Sequence, residues 1–104
     1  MTFSETLKTL PPITHIAALE LTDPQGRVVA TIENKPGKAG SLAVYAALAT
    51  RHGMINAAAA QEGLELFCEH TADARANPGK HPNIDRLLEV LATGTSFGVR
   101  SIQA

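Results

Sequence analysis

The chain has 104 residues, of which 44% are apolar and 4% aromatic, and its formal net charge is −1. This length and apolar content predict a single domain over residues 1–104. The near-zero charge and the few aromatic side chains argue against a nucleic-acid partner, and no uncharged run reaches the roughly 20 residues that cross a membrane.

A short helix and a β-hairpin are predicted in the first third of the chain. The helix is expected over residues 4–10, with Ser4 as its N-cap. The hairpin is expected over residues 13–34, because apolar and polar side chains alternate on both sides of Asp23-Pro-Gln-Gly26, which has the residue types of a tight turn. The apolar positions of the hairpin are Leu19, Leu21, Val28, Ala30 and Ile32.

A helix with no charged side chain between Ala39 and Thr50 is predicted to follow a basic, glycine-containing loop. Gly40 or Ser41 is expected to cap this helix, which runs to about His52. A helix that is apolar on all sides must be covered on all sides. It is therefore predicted to be either the core helix of the domain or part of a subunit interface.

Two more helices and a strand are predicted in the second half of the chain. One helix is expected over residues 57–76, where Gly63 indicates that a neighbouring backbone approaches closely. The other is expected over residues 84–92 after a cap at Asn83, and the strand over residues 97–102. The last helix is expected to bury Ile84, Leu87, Leu88 and Leu91.

The predicted order of elements is α-β-β-α-α-α-β. Strands and helices are segregated along the chain instead of alternating, which favours the α+β class. We expect a small, mostly antiparallel sheet, made of the N-terminal hairpin and the C-terminal strand, packed against three helices.

The loop before the charge-free helix is a candidate anion-binding site. A glycine-containing turn that leads into a helix presents free backbone N–H groups and the positive end of the helix dipole. A second loop, over residues 77–83, adds basic side chains between two prolines. The alternatives are a simple connection with solvated lysines for the first loop and helix packing alone for the second. The candidate ligand-binding residues are Lys35, Lys38, Gly40, Ser41, Lys80 and His81.

A metal-assisted hydrolase is a further interpretation. Glu65 and Glu69 would share one face of a helix, and His81 could complete a divalent-cation site. Cys68 and His70 would instead point about 200° apart, and the sequence contains no zinc signature and no nucleophile elbow. The sequence therefore predicts no metal and no cofactor, and a solvated acidic helix face is the simpler interpretation of the carboxylates.

The compartment is predicted from the cysteine content and the N-terminus. Cys68 is the only cysteine, so it has no partner for an intrachain disulfide. The first residues have neither the basic start nor the apolar segment of a signal peptide. These features predict a cytoplasmic protein.

Three segments carry a resemblance to a known family. They cover residues 33–45, 62–67 and 77–87 and read ENKPGKAGSLAVY, EGLELF and NPGKHPNIDRL. With these segments the chain resembles a family of small bacterial proteins that is known as a domain of unknown function, over nearly its whole length. The resemblance implies a compact bacterial cytoplasmic protein and brings no assigned catalytic residues.

The first functional prediction is a non-enzymatic interaction module that self-associates as a homodimer. Many of the apolar side chains are alanine, so an isolated domain would be marginally stable, and the charge-free helix would supply the contact. The alternative is a protein that binds a small anionic or phosphate-containing ligand through residues 35–41 and the helix that follows them.

Overall fold

The computed structural model describes residues 1–104 and confirms the α+β class. The three strands form one antiparallel sheet in the order β2-β1-β3, and α2 packs against β1 and β2. No helix combines the length and the apolar character that a membrane span requires. The elements are α1 (Phe3–Leu7), β1 (Ile16–Thr22), β2 (Val28–Glu33), α2 (Ala39–His52), α3 (Ala57–Leu66), α4 (Glu69–Ala76), α5 (Pro82–Thr93) and β3 (Gly98–Gln103).

The hairpin turn between β1 and β2 is held by the side chain of Asp23. Its carboxylate accepts hydrogen bonds from the backbone N–H groups of Gln25 (3.0 Å) and Arg27 (2.9 Å). Gly26 has a φ of +83°, which glycine adopts without steric cost. The turn therefore lies where the sequence predicted it, with Asp23 and Gly26 at its two ends.

A β-bulge changes the predicted face of one residue in the hairpin. Leu19 and Leu21 are buried, as expected. The register shifts after Leu21 so that Val28 pairs with Thr22, and Val28 is 43% exposed. The prediction that Val28 lies on the apolar face with Ile32 is wrong, because an extra residue in a strand reverses the alternation of its side chains.

The charge-free helix α2 is the core helix of the fold. Its four large apolar or aromatic side chains have no exposed surface, because the sheet, α1 and α3 pack around it. No large apolar side chain of α2 is left uncovered, so the expected dimer contact through this helix finds no support in the structure. The four side chains are Leu42, Val44, Tyr45 and Leu48.

The helix predicted over residues 57–76 is divided into α3 and α4 by a break at Cys68. Cys68 has a φ of +53°, which is uncommon for any residue other than glycine and ends the helical path. The hydroxyl of Thr71 donates a hydrogen bond to the carbonyl of Leu64 (2.6 Å), which satisfies one of the last carbonyl groups of α3. Because the backbone is not helical at Cys68, α4 does not continue the faces of α3.

Gly63 lies where α3 packs against α2 and α5. A Cβ atom at this position would lie 2.6 Å from Cδ1 of Leu87 and 2.9 Å from Cδ1 of Leu48, and both leucines are fully buried. The predicted close approach is therefore present, but two side chains make it. The expectation of a neighbouring backbone at Gly63 is wrong.

The N-terminal helix begins and ends earlier than predicted, since it covers Phe3–Leu7 and not residues 4–10. Thr2, and not Ser4, is the N-cap of α1. The hydroxyl of Thr2 accepts a hydrogen bond from the N–H of Glu5, whose carboxylate in turn accepts one from the N–H of Thr2. This capping box is a local signal that was readable in the sequence.

The final helix α5 also begins earlier than predicted. Its first residue is Pro82, its N-cap is His81, and Asn83 lies inside its first turn instead of capping it. Proline is favoured at the start of a helix because its missing N–H would be unpaired there in any case.

Near the C-terminal end of α5, Val90 is buried and Leu91 is 39% exposed, so the predicted inward orientation of Leu91 is wrong.

Candidate anion-binding pocket

A concave pocket of about 720 Å³ lies where the loop before α2 meets the loop before α5. Residues from five parts of the chain form its walls: α1, β2, the start of α2, the junction of α3 and α4, and the start of α5. Pockets of this size hold small organic ligands. The two loops that the sequence analysis selected separately therefore share one concave surface.

Five of the six candidate ligand-binding residues line this pocket. They are Lys38, Gly40, Ser41, Lys80 and His81. Lys35 does not line it, and its Nζ lies 2.9 Å from a carboxylate oxygen of Glu33. Lys38 also lies near Glu33, but at 3.8 Å.

The pocket receives the N-terminal ends of two helices, α2 and α5. The N-cap residues Lys38 and His81 make no side-chain capping hydrogen bond. The backbone N–H groups of Gly40, Ser41 and Asn83 donate no hydrogen bond within the protein. The expectation that Gly40 or Ser41 caps α2 is wrong, because Lys38 is the N-cap and these two residues are the second and third of the helix. Each contributes a free N–H group to the pocket wall. Such N–H groups and the helix dipoles favour negative charge.

Arg86 is a pocket residue that the sequence analysis missed. Its Nη1 donates a hydrogen bond to Oδ1 of Asn83 (2.8 Å) and lies 3.4 Å from the hydroxyl oxygen of Tyr45. No carboxylate lies within ion-pair distance of its guanidinium group. The available signal was its spacing from Asn83, because residues three apart on a helix share a face.

Tyr45 joins the core helix α2 to the pocket end of α5. Its hydroxyl donates a hydrogen bond of 2.5 Å to the carbonyl oxygen of Asn83. Burial raises the pKa of Tyr45 to about 12, although the nearby Arg86 opposes this effect. The phenol therefore stays neutral and holds the first turn of α5 at a fixed distance from α2.

A carboxylate outside the pocket lining orients two of the pocket's basic side chains. Oδ2 of Asp73 lies 2.7 Å from Nε2 of His81 and 2.9 Å from Nζ of Lys80. The hydrogen bond from His81, followed by that from Lys80, lowers the pKa of Asp73 to about 2. The ring of His70 lies 5.5 Å from that of His81, which places a second imidazole in the same wall.

Replacing Asp73 with asparagine is expected to reduce the loss of stability in acid. The pKa of this carboxyl is lowered from 3.8 to about 2 by folding, so the unfolded chain binds its proton at higher pH than the folded protein does. The ion pairs of Asp73 therefore stabilise the fold above about pH 4, and this contribution is lost as the pH falls towards about 2. Thermal unfolding midpoints should change less over this interval in Asp73→Asn than in the wild type.

The control for this measurement is Glu65→Gln. Glu65 is exposed, and its carboxylate makes no hydrogen bond or ion pair. This variant should lose as much stability in acid as the wild type. If Asp73→Asn also lost as much as the wild type, the ion pairs of Asp73 would not be a source of the acid sensitivity.

An apolar wall closes one side of the pocket. The ring of Phe3 stacks on that of Phe67 with a centroid distance of 5.4 Å. The ring of His70 contacts the ring of Phe3 edge-on, with a centroid distance of 5.0 Å. A Cβ atom at Gly40 would lie 3.0 Å from the ring of Phe3, so glycine permits α1 to approach the start of α2. The carboxylate of Glu69 accepts a hydrogen bond from the N–H of Phe3 (2.8 Å), which fixes α1 against α4.

The residues of the predicted divalent-cation site are not brought together. Glu65 lies in α3 and Glu69 in α4, so the break at Cys68 removes the shared helix face on which that interpretation depended. Glu69 is bonded to the backbone of α1, and His81 is paired with Asp73. No three His, Cys, Asp or Glu side chains are grouped so that they could hold a metal ion.

Cys68 has a structural position at the helix break and does not line the pocket. Its Sγ lies 3.2 Å from Oγ1 of Thr6 and 3.4 Å from the carbonyl oxygen of Leu66. No histidine or carboxylate is among its hydrogen-bond partners, so the structure offers it no activating base.

Comparison with known proteins gives a family and no closer relative. The model of a family described as an uncharacterized protein conserved in bacteria (DUF2322) matches residues 3–101, which is nearly the whole chain. Neither the curated proteins nor the solved structures gave a match.

Proposed function

Because this chain belongs to that bacterial family of uncharacterized proteins, its pocket is the best guide to its function, and we propose that it is a cytoplasmic protein that binds a small anionic ligand. The observation that carries the proposal is the convergence of two helix N-termini and several basic side chains on one concave surface. Helix N-termini and basic groups that face one cavity favour negative charge there.

The charges around the pocket support an anion more than a neutral ligand. The lining contains two lysines, two histidines and an arginine, and it contains no carboxylate. Lys38 and Lys80 are paired with carboxylates that do not line the pocket, whereas Arg86 has no carboxylate partner. An unpaired guanidinium group in a partly enclosed site is stabilised when an anion enters.

Thermal unfolding in phosphate tests this proposal. The wild type should be stabilised by inorganic phosphate relative to chloride at equal ionic strength, by about 2.7 kcal/mol when phosphate reaches a hundred times its dissociation constant. The double variant Lys38→Gln/Lys80→Gln should bind phosphate about tenfold more weakly, which corresponds to about 1.4 kcal/mol.

Lys8→Gln/Arg75→Gln is the matched control, because both side chains are exposed and lie outside the pocket, and their replacement also removes two positive charges. It should leave phosphate binding unchanged and so separate a local effect from a change in net charge. The proposal is wrong if neither phosphate nor sulfate stabilises the wild type, or if the double variant binds them as tightly as the wild type does.

Self-association through the edge strands of the sheet, and not through α2, is a second candidate function. Both β2 and β3 are edge strands, and Val28 and Ile102 on these strands are 43% and 39% exposed. Edge strands present unpaired backbone groups to another chain. Sedimentation at micromolar concentration tests the idea: a mass that rises with concentration supports a homodimer, and a monomer at every concentration removes it.

A further inference from the structure

The pocket is shaped for more than a bare inorganic ion. On the basis of the proposed function, we propose that its ligand is a phosphate monoester whose organic part carries an apolar ring. Arg86 would bind the phosphate group, and Phe3 and Leu7 of α1 would contact the ring.

The geometry of Arg86 supports a role in binding the phosphate group. Its only hydrogen bonds within the protein are made through Nη1, to Asn83 and Tyr45. Its Nε and Nη2 donate no hydrogen bond in the protein, and these two groups form an edge that can bind two oxygen atoms of one anion. Asn83 and Tyr45 hold the guanidinium group in place before the ligand arrives.

The charge near this edge matches a phosphate monoester better than a carboxylate. Arg86 contributes one positive charge that has no carboxylate partner, and the N-terminus of α2, which has no acidic residue in its first turn, contributes about +0.5. The carboxylate of Asp85 in the first turn of α5 offsets the dipole of that helix. Together these amount to roughly one and a half positive charges. A phosphate monoester carries about −1.5 to −2 at neutral pH, whereas a carboxylate carries only −1.

The volume and the apolar wall indicate the organic part. A phosphate group alone would occupy only a small part of about 720 Å³. Phe3 and Leu7 are both half-buried and line the pocket, and Phe3 is held against the buried ring of Phe67. A rigid apolar surface next to an anion site favours a ligand that places a ring against it.

Calorimetric titration with three probes tests this inference. Inorganic phosphate, phenyl phosphate and benzoate would each be titrated into the full-length wild type. We expect phenyl phosphate to bind about tenfold more tightly than either inorganic phosphate or benzoate, because only phenyl phosphate engages both parts of the pocket.

Variants test which residues bind the phosphate group and which contact the ring. Arg86→Lys keeps the positive charge but loses the paired Nε and Nη2 donors. It should therefore weaken the binding of both phosphate probes about tenfold, whereas Arg75→Lys should change the binding of neither. Phe3→Ala and, independently, Leu7→Ala should remove most of the advantage of phenyl phosphate while leaving inorganic phosphate binding unchanged. Leu91→Ala, an exposed apolar position outside the pocket, is the control.

The outcomes separate this inference from the function on which it depends. Equal affinities for phenyl phosphate and inorganic phosphate would overturn the ring contact and leave anion binding intact. Benzoate binding as tight as that of phenyl phosphate would overturn the preference for phosphate. Failure of all three probes to bind would remove the proposed function itself.

Discussion

Replacing Gly63 with valine is expected to lower the free energy of unfolding by about 3 kcal/mol, the upper end of the usual cost of overpacking a core. The added Cβ alone would lie 2.6 Å from Leu87 and 2.9 Å from Leu48. Both leucines are fully buried, so neither can move towards solvent to make room. The strain should exceed the gain of up to about 1 kcal/mol from removing glycine from a helix interior.

Chemical denaturation would measure this loss, and Ala58→Val is the matched control. Ala58 lies in the same helix and is exposed, so a valine there should cost only the few tenths of a kcal/mol by which valine is the poorer helix former. Similar losses in the two variants would show that α2, α3 and α5 can separate at little cost, and the packing described for Gly63 would then be wrong.

Replacing Leu48 with alanine is expected to lower the free energy of unfolding by about 3 to 4 kcal/mol. Leu48 has no exposed surface and lies on the core helix α2, beside the space that a side chain at residue 63 would fill. The truncation removes apolar contacts and leaves a cavity that the surrounding helices can close only in part. Equilibrium denaturation with guanidinium, fitted with a shared slope, gives the size of the loss.

Leu91→Ala provides the comparison for Leu48→Ala. Leu91 is 39% exposed, so its truncation should cost less than about 1.5 kcal/mol. A cost for Leu91→Ala equal to that of Leu48→Ala would contradict the assignment of α2 as the core helix.

The effects of substitutions at residues 48 and 63 on the free energy of unfolding should also be coupled. Leu48→Ala removes the Cδ1 atom that would lie 2.9 Å from a Cβ atom at residue 63, so it makes room for a larger side chain in place of Gly63. The double variant Leu48→Ala/Gly63→Val should therefore lose less stability than the sum of the two single variants. Strict additivity would show that residues 48 and 63 do not share one packing space.

Several elements could be predicted because their signals are local. The turn at Asp23-Pro-Gln-Gly26 forms with residues that are adjacent in sequence, and Gly53 and Gly94 adopt positive φ at the ends of α2 and α5. The absence of charge in α2 likewise required burial, whatever covered the helix. For the turn and the two helix ends, the interaction that decides the structure lies within a few residues of the signal.

The pocket could be predicted only in part, because its residues come from distant segments. Lys38 and Lys80 lie in separate loops, and nothing in the sequence indicates that the loops meet. Phe3 and His70 carry no local pattern that marks them as neighbours, although their rings are 5.0 Å apart. The spacing of Arg86 from Asn83 places the two on one helix face, but its contact with Tyr45 on another helix leaves no local signal.

The break at Cys68 shows why the metal interpretation failed. The spacing of Glu65 and Glu69 defines one face only if the helix is continuous. Thr71 bonds back to Leu64, and Cys68 between them has a positive φ, so Glu65 and Glu69 belong to two different helices. The helical spacing of Ala60, Leu64, Phe67 and Thr71 continues across the break, so this pattern alone could not reveal it.

The sequence by itself determined the α+β class, the hairpin with its turn, and the need to bury α2, because each depends on residue types and spacings over short distances. The tertiary structure alone decided what covers α2, where Gly63 is packed, and that two loops and Arg86 face one pocket. These features arise from contacts between residues far apart in the chain, and such contacts form only when the helices and the sheet pack together.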